Sequence, residues 1–188
     1  YEPGDSLKVW DRSSGTFRTA ILAEFEPHQR DRVAAFMPGG PYANLLAKRQ
    51  VILQLGENVF VHGGVLPEHV AYGIDKINSS AQAWLRGEAD LPSVLSGSDS
   101  PQWTRLYSDD PDSSACSVLE EALNALGAKR IVMGHTIQES GIASACGGQA
   151  WRVDIGMAEY YASRTEYGGS VAVLEIVGDS VRVLKDDG

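Results

Sequence analysis

A mixed α/β fold, with its strands gathered after residue 50, is what this 188-residue sequence predicts. Three observations carry that expectation. Short runs of β-branched and apolar residues, such as Val51-Ile52-Leu53-Gln54-Leu55 and Arg130-Ile131-Val132-Met133, are too brief for helices, and each ends at a glycine. Between them lie longer segments whose apolar residues recur at three- and four-residue spacing, as on a helix buried along one face. A composition of 43% hydrophobic and 22% charged residues can also support a core, unlike that of a disordered or fibrous chain.

Along the chain, residues 1–18 read as irregular, punctuated by Pro3-Gly4 and Ser13-Ser14-Gly15. From Thr19 to Phe36 the apolar positions Ile21, Leu22, Phe25, Val33 and Phe36 predict helix, divided by Pro27 into two pieces. Met37 to Pro41 reads as a turn, and Tyr42 to Gln50 as a short helix with Lys48 and Arg49 near its C-terminal end. Residues 51–55 and 59–62 predict a hairpin of buried strands around Gly56-Glu57-Asn58. Residues 68–86 predict a helix through Val70, Ile74, Ile77, Trp84 and Leu85, stopping at Gly87. Residues 88–101 form a Ser/Pro/Gly/Asp loop long enough to be functional. Residues 114–126 predict an amphipathic helix, capped by Ser113 or Ser114 at its start and by Gly127 at its end. Strands are expected at 130–133, 151–155, 170–177 and 180–184, the last two joined by Gly178-Asp179. The chain thus reads as one domain over 1–188, mainly helical to residue 50 and β-rich from 51 onward.

The net charge of −9 makes nonspecific binding to nucleic acid or to an anionic membrane a poor expectation. No run approaches the roughly 20 apolar residues of a membrane span. A soluble, cytoplasmic protein with neither nucleic-acid nor membrane partner is the expectation. Cys116 and Cys146 are too few for a disulfide scaffold and do not by themselves fix the compartment. The chain begins at Tyr1, without Met or a basic-plus-apolar leader, and so does not read as an intact translation product.

Chemistry concentrates in a few places. In Val59-Phe60-Val61-His62-Gly63-Gly64 a buried strand delivers a histidine to two glycines. Backbone without side chains can approach a metal or phosphate closely; alternatively, the imidazole simply bonds a neighbouring carbonyl at a tight turn. Ile131-Val132-Met133-Gly134-His135-Thr136 repeats the pattern of strand, glycine and histidine, and two imidazoles delivered alike are a better transition-metal signal than one. His69, seven residues after His62, reads as a surface or capping residue, and His28 carries no signal. In Gln102-Trp103-Thr104-Arg105-Leu106-Tyr107 the arginine could clamp phosphate through paired N–H donors. The plainer and commoner alternative is an arginine stacked on Trp103 or paired with acids at 109–112.

Cys146 and Arg152 stand at the C-x5-R spacing of cysteine-dependent phosphatases, in which a low-pKa thiolate attacks phosphorus. Here the arginine falls in a strand-like run, whereas a phosphate loop should lead into a helix N-terminus. No nucleophile elbow, Walker-type loop, dinucleotide fingerprint, HExxH or CxxC occurs.

Taken in order, residues 59–67 (VFVHGGVLP), 69–78 (HVAYGIDKIN), 99–108 (DSPQWTRLYS), 132–138 (VMGHTIQ) and 151–157 (WRVDIGM) resemble the C-terminal half of a calcineurin-like metallophosphoesterase. More narrowly, they resemble the Shewanella-like branch of the phosphoprotein phosphatases. The resemblance implies part of a four-layer α/β/β/α sandwich. It also implies a centre of two divalent metal ions (Mn, Fe or Zn) that activates hydroxide for in-line attack on a phosphomonoester. His62 and His135 would be metal ligands, Arg105 would hold the phosphate oxygens, and Tyr160 or Tyr161 would lie on a loop over the site. The expected substrate is a phosphorylated protein or a small phosphomonoester.

The family's GDxHG, GDxxDRG and GNHE motifs are absent. They carry the remaining ligands and the general-acid histidine, so the resemblance implies that this half of the site is inactive without the segment upstream. Two other function classes remain: a non-catalytic fragment or pseudophosphatase acting as a binding module, and the cysteine-dependent phosphatase.

Overall fold

The structure, a computed structural model, describes residues 4, 6–11, 16–164 and 169–185. The chain divides into two units, Tyr1–Val51 with Tyr72–Ser100, and Ile52–Ala71 with Pro101–Gly188.

In the first unit, β1 (Ser6–Asp11) pairs antiparallel with β2 (Thr16–Ile21), from Ser6 opposite Ile21 to Asp11 opposite Thr16. A hairpin therefore replaces the irregular segment, and 19–21 is strand rather than the start of a helix. Val9, Trp10, Thr16 and Phe17 are β-preferring types, but the stretch is too short and too punctuated to show a period. Two helical pieces form as expected, a 3-10 turn at Leu22–Glu24 and a longer helix, and the second opens on Pro27. Pro27 occupies the first turn of α1 (Pro27–Phe36), where the missing N–H has no helical partner to lose. Leu22, Ala34 and Met37 form a small buried cluster with Val33 against it. The next helix, α2 (Pro41–Leu46), starts one residue early and ends before Lys48 and Arg49.

The helix expected at 68–86 is two helices. Between α3 (Pro67–Tyr72) and α4 (Ile74–Leu85) stands Gly73 at φ 103°, a backbone setting open to glycine and strained for other residues. On α4, Ile77 and Ala81 face inward, and the Asn78 side chain accepts the Val51 N–H at 2.8 Å.

The second unit is built on a five-stranded mixed sheet. Its members are β3 (Ile52–Leu55), β4 (Asn58–Val61), β5 (Arg130–Met133), β6 (Ala143–Ala145) and β7 (Ala150–Arg152), in spatial order β3-β4-β5-β7-β6. The β3–β4 hairpin is antiparallel as expected, β4, β5 and β7 run parallel, and β6 is antiparallel to β7. All four residues of β5 are buried, which explains its unbroken apolar run. β6, with sequence Ala-Ser-Ala, has no strand signature of its own and pairs because β7 offers it an edge.

α5 (Ser113–Leu126) buries Leu119, Ala122 and Leu123. Its cap is Asp112 rather than Ser113 or Ser114: the carboxylate accepts the Ala115 N–H at 2.9 Å. Gly127 closes the helix at φ 61°. A disulfide joins Cys116 on α5 to Cys146 beside β6. The last hairpin, β8 (Ala172–Val177) and β9 (Ser180–Lys185), turns at Gly178-Asp179. Lys129 Nζ fastens it, lying 2.8 Å from both Asp179 and Glu57. Val173 and Leu184, opposite each other in register, are exposed. Among the described residues no helix is long and apolar enough to cross a membrane.

Candidate functional site

Three parallel strands deliver the site. Val61 of β4 stands opposite Met133 of β5, which stands opposite Arg152 of β7. The chain therefore leaves the sheet along one edge at His62, Gly134 and Val153, the carboxyl end where open α/β sheets hold ligands. The exits are stitched together: Gly134 N–H donates to the His62 carbonyl at 3.0 Å, and Val153 N–H to the Met133 carbonyl at 2.9 Å. A methyl group on Gly134 would meet the His62 ring and the Asp154 side chain at 3.7–3.8 Å.

His62 and His135 come together as the sequence suggests. Nε2 of His62 lies 3.1 Å from Nδ1 of His135. His135 holds a left-handed backbone, φ 67°, while Thr136 N–H closes a three-residue turn onto the Gly134 carbonyl at 2.8 Å. Such a turn is rare and strained for a residue with a side chain, and here it accompanies a ring turned toward His62. Burial, then the neighbouring Arg105 and His62, hold the His135 imidazole below its usual pKa, while the Trp103 backbone and Asp154 pull the other way. The other ring nitrogen, Nε2, is buried without a well-formed hydrogen bond.

Two imidazole nitrogens bound to one ion at about 2.0–2.1 Å each would sit about 3 Å apart, so the pair fits two positions of a metal centre. It does not complete one. Among the described residues there is no group of three or more metal-ligating side chains.

The loop at 101–108 packs onto the glycines after His62. Gly63 and Gly64 donate N–H bonds to the Pro101 carbonyl at 2.8 and 3.1 Å, and a methyl on Gly63 would stand 2.9 Å from backbone atoms of residues 101, 102 and 104. Glycine is thus needed here for close approach. The loop sets the Trp103 ring edge-on to His135, centroids 5.2 Å apart, and brings exposed Arg105 near the same imidazole. Its far end is fixed by Tyr107, wholly buried, whose hydroxyl donates to the Val65 carbonyl at 3.2 Å.

Four residues not singled out by sequence reasoning surround this arrangement. The hydroxyls of Ser108 and Thr136 meet at 2.7 Å. The Gln138 side-chain amide donates to the carbonyls of Ser108 and Thr136 at 3.0 and 2.9 Å, and its backbone N–H donates to the Asp154 carbonyl at 2.7 Å. A cavity of about 390 Å³ lies alongside, lined in part by Ser108, Asp110, Gln138, Glu139 and Arg152.

Tyr160 is exposed and is engaged by Tyr161 and by the Arg164 guanidinium 3.8 Å over its ring; no described contact joins it to His62, His135 or Arg105. His69, expected at the surface or in a cap, is buried, and its Nδ1 accepts the Leu66 N–H at 3.0 Å. The C-x5-R arrangement does not form. Cys146 is consumed by the disulfide, and Arg152 on β7 faces Asp110 at 3.2 Å, leaving neither thiolate nor phosphate loop.

Comparison with known proteins finds similarity in sequence and in fold. Over 162 residues, 82% of the chain, it is 40% identical to Shewanella-like protein phosphatase 2 of Arabidopsis thaliana. Over 160 residues it is 29% identical to an uncharacterized protein of Schizosaccharomyces pombe. The chain spans 40% and 46% of the lengths of these two relatives. Its fold matches the crystal structure of a cold-active protein-tyrosine phosphatase from a psychrophilic Shewanella species. That match has a TM-score of 0.58 and 21% identity and covers 73% of this chain and 41% of that one. A second structure of a cold-active protein tyrosine phosphatase matches with a TM-score of 0.52 and 24% identity, covering 68% and 42%. No protein-family model matches the chain.

Proposed function

Because the chain is homologous to Shewanella-like protein phosphatases over most of its length, we propose that it forms one side of a metal-assisted phosphatase site. The site acts on a phosphorylated protein or a small phosphomonoester. The observation that carries the reading is the convergence of His62 and His135, nitrogens 3.1 Å apart, with Arg105 near His135, at the carboxyl ends of parallel strands.

In this reading His62 and His135 would hold a divalent metal ion through the facing ring nitrogens. Once bound, such an ion supplies a Lewis acid for a phosphoryl oxygen and a water acidified toward pKa ~7. The depressed pKa of His135 keeps its ring neutral and able to donate a lone pair near pH 7. The strained turn at His135 and the Gly134–His62 bond hold the two rings in place before any ligand arrives.

Arg105 supplies the fixed positive charge that binds the substrate's dianionic phosphate and offsets charge developing on its oxygens. Trp103 packs edge-on against His135 and braces that ring on one side. The second metal ion, the carboxylate ligands and the acid that protonates the leaving oxygen belong to residues outside this chain.

The test uses the full-length protein, loaded with Mn, Fe or Zn and assayed on phosphoserine, phosphothreonine and phosphotyrosine peptides. Hydrolysis abolished by a chelator, and restored by metal, supports the reading. Hydrolysis that survives chelation but stops with a thiol alkylator overturns it. A protein that takes up no metal and hydrolyses nothing also overturns it.

A further inference from the structure

The arginine proposed to hold phosphate and the histidine proposed to hold metal lie on loops 30 residues apart in sequence, and their activity depends on registration between those loops. One side chain spans them. The Gln138 amide nitrogen reaches the Ser108 carbonyl at 3.0 Å and the Thr136 carbonyl at 2.9 Å. Both partners are acceptors, so only the nitrogen of the amide satisfies them. Ser108 is almost wholly buried, and its hydroxyl adds the 2.7 Å contact to Thr136.

The connection to Arg105 is direct. The N–H groups of Ser108 and Asp109 both donate to the Arg105 carbonyl at 3.1 Å. Whatever holds Ser108 therefore holds the backbone from which the guanidinium projects. The connection to β7 is the Gln138 N–H bond to the Asp154 carbonyl at 2.7 Å. Asp154 in turn accepts the Gly156 N–H at 3.1 Å.

We infer that Gln138 is a positioning residue, locking the Arg105 loop to the His135 loop so that phosphate clamp and metal ligand share one geometry. It acts through Arg105 and touches no reacting atom. The inference rests on the phosphatase reading for the role of Arg105, but not on turnover for its test. A misplacement of about 1 Å can cost on the order of 100-fold in rate, and neither apolar packing nor a shorter side chain would restore the two bonds.

The experiment is a double-mutant cycle in the full-length, manganese-loaded protein with Gln138→Met, Arg105→Ala and the pair. It is read as kcat and KM for p-nitrophenyl phosphate and as affinity for inorganic phosphate. Gln138→Met keeps length without the amide, and Gln138→Glu turns a donor toward two carbonyls as an acceptor.

Each single change at 138 is expected to lower kcat/KM and phosphate affinity on the order of 10–100-fold. In the Arg105→Ala background Gln138→Met should then add almost nothing, because it has no clamp left to misplace. A merely structural role predicts a lower melting temperature with normal kcat per folded molecule, and losses that add. Either result overturns the inference.

If Gln138→Met does not fold, Ser108→Ala removes one contact of the same lock and must show the same non-additivity with Arg105→Ala. If the wild type is inert but binds phosphate, the phosphatase reading falls and the phosphate cycle alone decides this one. No phosphate binding at all overturns both.

Discussion

Tyr107 passes beneath the turn that follows β4, its hydroxyl 3.2 Å from the Val65 carbonyl and its ring against the position a Gly64 side chain would occupy. The ring is fully buried, and burial, followed by the negative charges of Glu68 and Glu121, drives its pKa far above the ordinary tyrosine value. The hydroxyl therefore remains a donor at any working pH. Tyr107→Phe leaves the Val65 carbonyl buried without that partner and should cost about 1–3 kcal/mol. Urea unfolding checks this, and an unchanged midpoint would show that the bond contributes nothing.

Gly63→Ala should be worse tolerated. Its methyl would press on backbone atoms at 2.9 Å, and backbone cannot yield as a flexible side-chain end does. Overpacking of this kind costs about 1–3 kcal/mol, and the shift falls on the loop carrying Trp103 and Arg105. Thermal melting together with phosphate affinity should both decline; a normal melt with normal affinity would refute the close-packing argument.

Metal uptake should follow the protonation of His135. The folded-state pKa of His135 is lowered, so protons compete less with metal than at a free imidazole of pKa ~6.5. By the same sign, its contribution to stability is present above the unfolded pKa and is lost as pH falls through the folded value. Manganese affinity should hold at the free-imidazole pKa and decline only as pH falls through the lowered folded pKa of His135. Calorimetric titration at several pH values measures it. His62→Ala or His135→Ala should remove both the binding and its pH dependence, and pH-dependent binding that survives both changes would place the ion elsewhere.

The Cys116–Cys146 bridge closes a loop of 30 residues between α5 and the edge of the sheet. A loop of that size restricts the unfolded chain enough to contribute about 2–4 kcal/mol. Replacing both cysteines by serine should lower the denaturation midpoint accordingly and abolish its sensitivity to reductant. A midpoint that still responds to reductant in the double variant would contradict the bridge.

Much of the second unit was legible in the sequence because local signals and tertiary context agree there. β4 and β5 are short apolar runs that stop at glycines, and the histidines following them converge. What escaped was set by contacts distant along the chain. β6 is a strand only because β7 lies beside it, and the Asp112 cap competed with two equally suitable serines. The Cys116–Cys146 pairing depends on a spatial approach that spacing does not reveal. Ser108, Thr136 and Gln138 are ordinary polar residues until the sheet brings their loops together. Tyr160 was placed by resemblance alone, and the contacts described for it are local, with Tyr161 and Arg164.

The parallel pairing of β4 with β5 also governs when the site comes into being. His62 and His135 are 73 residues apart in sequence, and no hairpin can join parallel neighbours. The chain must first close the long excursion through α3, α4 and α5, and non-local closure of this kind is slow. During synthesis His62 emerges well before its partner, so the histidine pair proposed to hold metal can exist only after β5 has docked. Metal uptake during refolding should accordingly track the slowest sheet-forming phase, making the ion a clock for the completion of the sheet.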